Sequence, residues 1–130
     1  MDNEIILKRK IYDKMLAWKR AQEGRTALLI EGARRVGKST IVKEFATKEY
    51  SSYCLIDFNK APEMIKELFT ESRDNLNTIF STLETYYKVK LEPHKSVIIF
   101  DEVQLCPPAR SLIKYLVADG RYDYIETGSL

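Results

Sequence analysis

Thr26-Ala27-Leu28-Leu29-Ile30-Glu31 is a short apolar run that leads into Gly32-Ala33-Arg34-Arg35-Val36-Gly37-Lys38-Ser39-Thr40. A run apolar on both faces reads as a strand inside a parallel sheet, where helices cover both sides. The stretch after it fits G-x-x-x-x-G-K-[ST] in full. Ile41, Val42, Phe45 and Ala46 then recur at helical spacing, which predicts a helix from about Lys38 to Lys48. Strand, glycine loop and helix in that order are the context that separates this pattern from a chance match. The chemistry needs each residue type. Gly32 and Gly37 permit backbone angles that a side chain would forbid. Successive N–H groups from Gly32 through Thr40 can then point into one concavity and hold phosphate oxygens. The positive end of the following helix adds to that field. Lys38 would reach the outer phosphates as a solvent-side ligand with no core duty, and the Ser39 hydroxyl would go to Mg²⁺. Arg34 and Arg35 are either solvated loop residues or face a phosphate or a neighbouring subunit.

The rest of the chain alternates in the same way. Ile11, Met15 and Trp18, with Leu16 beside them, predict a helix from Lys8 to about Glu23 that Gly24 stops. Tyr53-Cys54-Leu55-Ile56-Asp57-Phe58 reads as the next strand. Pro62 opens a helix with Met64, Ile65, Leu68 and Phe69 on its apolar side. Asp74 or Asn75 starts another, with Leu76, Ile79, Phe80, Leu83 and Tyr87 on one face. Val97-Ile98-Ile99-Phe100 is a buried strand. Pro107 and Pro108 open a helix to Asp119, with Leu112, Ile113, Leu116 and Val117 inward and Gly120 as its stop. Tyr122 to Thr127 is the last strand. Such alternation predicts an α/β fold with a mainly parallel sheet in three layers. The chain stops at Leu130, straight after a strand, so residues 1–130 read as one domain cut short at its C-terminal end.

The strand Val97–Phe100 runs into Asp101-Glu102. In a parallel sheet ligands bind beyond the carboxyl ends of the strands, so this pair emerges at the same edge as the glycine loop. Asp101 suits Mg²⁺, directly or through its waters. Glu102, on the other side of the pleat, could polarise a water for in-line attack on a γ-phosphate. Read alone, the pair could equally cap the next helix.

Together the two motifs resemble Walker A and Walker B of the P-loop NTPases. The Asp-Glu form is similar to the branch that carries a catalytic glutamate on the second motif, which includes AAA-type ATPases, helicases and transporter ATPases. GARRVGKST (Gly32 to Thr40), DEVQ (Asp101 to Gln104) and ETGS (Glu126 to Ser129) resemble one bacterial and archaeal family of AAA-superfamily ATPases, often with a C-terminal domain of unknown function. The resemblance implies ATP binding with Mg²⁺ and hydrolysis by the full-length protein. It implies strand order five-one-four-three-two, the fifth strand being absent here. It also implies a polar sensor after the last strand, for which Thr127 is the best match and Ser129 the second. An arginine finger and second sensor would lie beyond Leu130. A homo-oligomer is a further expectation, as is a protein or DNA partner bound through those further C-terminal regions.

Other signals are weaker. Ile11, Tyr12 and Trp18 precede the first strand, where such ATPases often place adenine, although helical spacing favours core packing for Met15 and Trp18. Asp57 ends a strand on the ligand edge, with a turn or cap role favoured over a water contact to a metal. Gln104 has no role assigned from sequence. Cys54 reads as a small buried hydrophobe and Cys106 has no basic partner to activate it. His94 reads as an exposed loop residue, and Lys8-Arg9-Lys10 as a solvated face, with a phosphate contact as the alternative.

Composition sets the bounds. A content of 45% hydrophobic and 31% charged residues excludes disordered and fibrous classes. With 21 basic against 19 acidic residues, the net charge of +2 demands neither nucleic acid nor an anionic membrane as partner. Two cysteines and one histidine exclude a disulfide framework and a zinc quartet. No apolar stretch approaches the ~18 residues of a membrane span. The start of the chain lacks the basic and apolar regions of a secretory signal, so a cytoplasmic location is expected. A P-loop kinase would want an arginine-rich lid, and a GTPase an N-K-x-D loop, which Asn59-Lys60 only begins. A nucleotide-dependent switch with little turnover stands as the alternative to an ATPase.

Overall fold

The computed structural model describes residues 3–22, 25–32 and 37–129. Helix α1 (Asn3–Gln22) precedes strand β1 (Leu28–Gly32), helix α2 (Lys38–Glu49) and strand β2 (Ser52–Asp57). Helices α3 (Glu63–Glu71) and α4 (Leu76–Tyr87) follow, then β3 (Ser96–Asp101), a short 3₁₀ turn at Val103–Leu105, α5 (Pro107–Asp119) and β4 (Asp123–Ser129). The sheet has four strands in the order β1-β4-β3-β2, all parallel. That is the expected order without its fifth strand. Each crossover passes through at least one helix, as parallel neighbours require.

Alternation along the strands sends side chains to two cores. On one face Val97, Ile99 and Ile125 meet Met15 of α1 and Ile41, Val42, Phe45 and Ala46 of α2. On the other, Cys54, Ile56, Ile98, Phe100 and Tyr124 meet α3, α4 and α5. Phe58, Phe69 and Phe100 pack edge to face there, with centroids 5.3 to 5.9 Å apart. Every residue of β3 is buried, so this strand fixes the position of whatever follows Asp101.

Three expectations change. Strand β1 is not covered on both faces. Leu28 and Ile30 pack toward α1 and α2, but Leu29 and Glu31 are exposed, because β1 is a sheet edge. Met64 lies on the solvent side of α3 at 52% exposure, leaving Ile65, Leu68 and Phe69 to make the contact. Helix α1 begins five residues before Lys8, at Asn3. The caps follow the local chemistry. Asn75 accepts the Thr78 N–H at 3.2 Å at the start of α4, and Pro107 opens α5, where its missing N–H costs no hydrogen bond. Gly24, named as the stop of the first helix, lies outside the described residues.

Candidate functional site

The C-terminal ends of β1, β3 and β4 and the N-terminus of α2 converge on one cluster. Gly37 precedes α2 with φ 76°, a conformation that favours glycine. It delivers Lys38 and Ser39 onto the first turn. Ser39 Oγ donates to both carboxylate oxygens of Asp101, at 2.9 and 3.0 Å. Thr127, fully buried on β4, donates its hydroxyl to Asp101 Oδ1 at 2.5 Å and accepts the Glu102 N–H at 3.0 Å. The Asp101 carboxylate is therefore pinned between the first turn of α2 and the neighbouring strand.

Glu102 departs from the expected pleat. Strand β3 ends at Asp101, and Glu102 takes φ 57°, ψ 51°, a left-handed conformation that is costly for a residue with a Cβ. The kink turns its carboxylate back into the cluster. Ser129 Oγ donates to Glu102 Oε2 at 2.9 Å, and Gln104 Nε2 donates to Oε1 at 2.8 Å. Lys38 Nζ lies 3.6 Å from Oε2. The same ammonium donates to Ser129 Oγ at 3.2 Å and to the Gly32 carbonyl at 3.3 Å.

Lys38 is thus not on the solvent side. It is 3% exposed, and Asp101 and Glu102 are each 6% exposed. Its long stem passes inward because β1 ends at Gly32 beside Ser129, its register partner. Among the described residues the cluster holds one ammonium, Lys38, and two carboxylates, Asp101 and Glu102. Two hard oxygen donors, the Ser39 hydroxyl and the Asp101 carboxylate, lie side by side in it. That donor set fits Mg²⁺, which takes one or two protein oxygens and fills its shell with water and phosphate. Among the described residues there is no group of three or more His, Cys, Asp or Glu that would hold a metal by itself.

The structure brings together Gly32, Gly37, Lys38, Ser39, Asp101, Glu102, Thr127 and Ser129. Thr40 is exposed on α2 and has no hydrogen bond to the cluster's carboxylates. Ala33, Arg34, Arg35 and Val36 lie outside the described residues. Asp57 is a turn residue, accepting the Asn59 N–H at 2.9 Å. Tyr12 donates to Glu49 at 3.0 Å and packs edge to face on Phe45, while Trp18 Nε1 donates to Thr26. These aromatics tie α1 to the body of the domain. Cys54 and Cys106 are buried free thiols, and burial pushes the Cys54 thiol up to about 12. His94 is exposed, as expected. Sequence reasoning missed the contact between Gln104 and Glu102; its only sequence signal was the place of Gln104 two residues after the acidic pair.

A groove of about 530 Å³ lies away from this cluster, between the segment preceding β1 and α5, lined by Arg25, Ala27, Arg110, Lys114 and, from β4, Glu126 among others. Desolvation raises the Glu126 carboxyl above its usual value, with Arg110 opposing that shift. Its Oε1 is buried with no hydrogen-bond partner among the described residues.

Residues 24–130 match a protein family described as an AAA domain. Among solved structures the chain is similar to the structure of C. elegans PCH-2, with a TM-score of 0.57 and 17% identity. That match covers 95% of this chain and 37% of the other, so this chain spans well under half of its length. At this identity the likeness concerns the fold alone. Comparison with curated proteins gave no match. No helix among the described residues is long and apolar enough to cross a membrane.

Proposed function

The chain belongs to that AAA domain family, and from this premise we propose that it is the nucleotide-binding domain of a longer protein that binds ATP with Mg²⁺ and hydrolyses it. The observation that carries the reading is the cluster itself: Lys38, Ser39, Asp101 and Glu102 meet at the carboxyl edge of a parallel sheet, at the start of a helix.

The residues divide the work by chemistry. The backbone from Gly32 to Thr40, with Ala33, Arg34, Arg35 and Val36 in the loop, would wrap the phosphates. Lys38 would exchange its contact with Glu102 for one with phosphate oxygens, gaining a stronger anionic partner. Ser39 and Asp101 would hold Mg²⁺, which when bound neutralises charge on the phosphates. Glu102 would accept a proton from the water that attacks the γ-phosphorus as the bond to the ADP leaving group breaks. Thr127 serves this arrangement from behind, since its hydroxyl is taken by Asp101 and the Glu102 N–H. The polar sensor position falls to Ser129, which touches both Lys38 and Glu102.

Steady-state phosphate release by the full-length protein, with Glu102→Gln as control, tests this. The variant should retain ATP affinity and lose about 10²-fold or more in turnover, the usual cost of one transition-state contact. Undiminished turnover would remove Glu102 from the mechanism. ATP binding without turnover in the wild type would leave a nucleotide switch.

A further inference from the structure

We propose that Gln104 is a positioning residue for Glu102, holding one carboxylate oxygen so that the other stays turned toward Lys38, and that Gly128 is the residue that makes room for it. The inference rests on the reading of Glu102 as the group that accepts the proton of the attacking water.

Glu102 stands just past the end of β3, in a left-handed conformation, so no strand ladder restrains its side chain. Its two oxygens have different company. Oε2 meets Ser129 Oγ at 2.9 Å and Lys38 Nζ at 3.6 Å, both groups of the phosphate edge. Oε1 accepts from Gln104 Nε2, at 2.8 Å. When Lys38 turns toward a phosphate, Oε2 loses that contact, while the Gln104 contact is unaffected by the exchange. Gln104 can hold because its backbone is fixed. It sits on the 3₁₀ turn, where Leu105 N–H bonds Glu102 O at 3.0 Å and Cys106 N–H bonds Val103 O at 2.9 Å.

Two further observations set this amide apart from ordinary packing. Gln104 Oε1 is buried with no partner among the described residues. An apolar side chain of similar shape would avoid that unmet acceptor, so the amide is retained for its donor end. The reverse amide orientation would set Oε1 against a carboxylate oxygen. Gly128 supplies the second observation. A Cβ at that position would lie 3.3 Å from Gln104 Oε1, closer than ordinary van der Waals contact, and no positive φ requires glycine there. The glycine is thus explained by the amide that lies over it. The DEVQ and ETGS stretches then act as one device: Ser129 and Gln104 each take one oxygen of Glu102, and Gly128 leaves the space.

The test compares ATP affinity and phosphate release for the full-length wild type, Gln104→Leu, Gly128→Ala, Glu102→Gln and the Glu102→Gln/Gln104→Leu double variant. Gln104→Leu should lower kcat roughly ten- to a hundredfold, the scale of a reacting group displaced by about an ångström. Its ATP affinity should stay within about twofold, since the lost contact serves the transition state and not binding. Gly128→Ala should shift kcat in the same direction by less, without touching the carboxylate. In the Glu102→Gln background Gln104→Leu should cause no further loss, because the group it positions has gone. Wild-type turnover by Gln104→Leu beside an inactive Glu102→Gln would overturn this inference and leave the role of Glu102 intact. An equal loss in both backgrounds, or affinity falling in step with kcat in both Gln104→Leu and Gly128→Ala, would assign Gln104 to structure alone. Full turnover by Glu102→Gln, or none by the wild type, would overturn the underlying reading and this inference with it.

Discussion

Replacing Lys38 by methionine separates two duties of one side chain. As a solvent-side ligand it would be dispensable for stability, and only nucleotide affinity would fall. In the structure its ammonium lies 3.6 Å from the Glu102 carboxylate, and Glu102 is 6% exposed. Breaking a buried ion pair by deleting one partner costs about 3–5 kcal/mol. Here the cost is smaller. Glu102 keeps its donors from Ser129 and Gln104, and 3.6 Å is beyond direct hydrogen-bond contact. About 1–3 kcal/mol remains, the cost of leaving one buried polar group poorly satisfied. Methionine keeps most of the stem's packing, so the loss reports the charge. Unfolding entropy of about 2.1 cal/mol/K per residue gives roughly 0.27 kcal/mol/K for a chain of this length, and Lys38→Met should lower Tm by about 4–11 °C. Removing the carboxylate charge that faces Lys38 should reverse most of that, so the Lys38→Met/Glu102→Gln double variant should melt above the single one. The assay is thermal unfolding by circular dichroism without nucleotide. A single variant melting with the wild type, or a double variant no more stable than the single, would refute the pairing.

Two other properties are open to test. The Glu126 carboxyl is raised by desolvation, so between its unfolded and folded values the native state binds more protons than the unfolded one, and the stability it contributes falls as pH rises through that window. Glu126→Gln should therefore raise Tm at neutral pH, and the gain should shrink as pH falls through the raised folded value into the ordinary carboxylate range; a gain independent of pH would contradict this. Strand β1 pairs only with β4 among the described strands and carries Leu29 at 38% exposure, so the isolated 130-residue chain should self-associate at tens of micromolar. Leu29→Lys should reduce that association in sedimentation experiments, and a wild type that stays monomeric would show that the edge is protected.

What could be read from sequence depended on how local the signal was. The parallel sheet followed from alternating elements, because parallel neighbours need a helical crossover and the runs at Val97–Phe100 and Tyr53–Phe58 read as strands, whereas the strand order came from the family resemblance alone. The site's residue types were legible for a similar reason. A glycine loop at a strand–helix junction and two carboxylates at a strand end each carry their chemistry within a few residues. Directions were not legible. Leu29 looks as apolar as Ile30, and only the position of β1 at the sheet edge exposes one and covers the other. Glu102 was placed across the pleat by the period of a strand, but the strand ends one residue earlier and a left-handed turn reverses the side chain. Lys38 looked solvent-facing because lysine is seldom buried without a partner, and its partner lies far along the chain at Glu102. Thr127 illustrates the same limit from the other side. Its place at the end of the last strand suggests contact with ligand, and the structure adds that its hydroxyl donates to Asp101 and accepts the Glu102 N–H. Residue type at a strand end therefore indicates which edge of the sheet does chemistry. Which group at that edge meets the ligand, and which one holds its neighbour in place, is decided by hydrogen bonds between β3, β4 and α2 that no local pattern encodes.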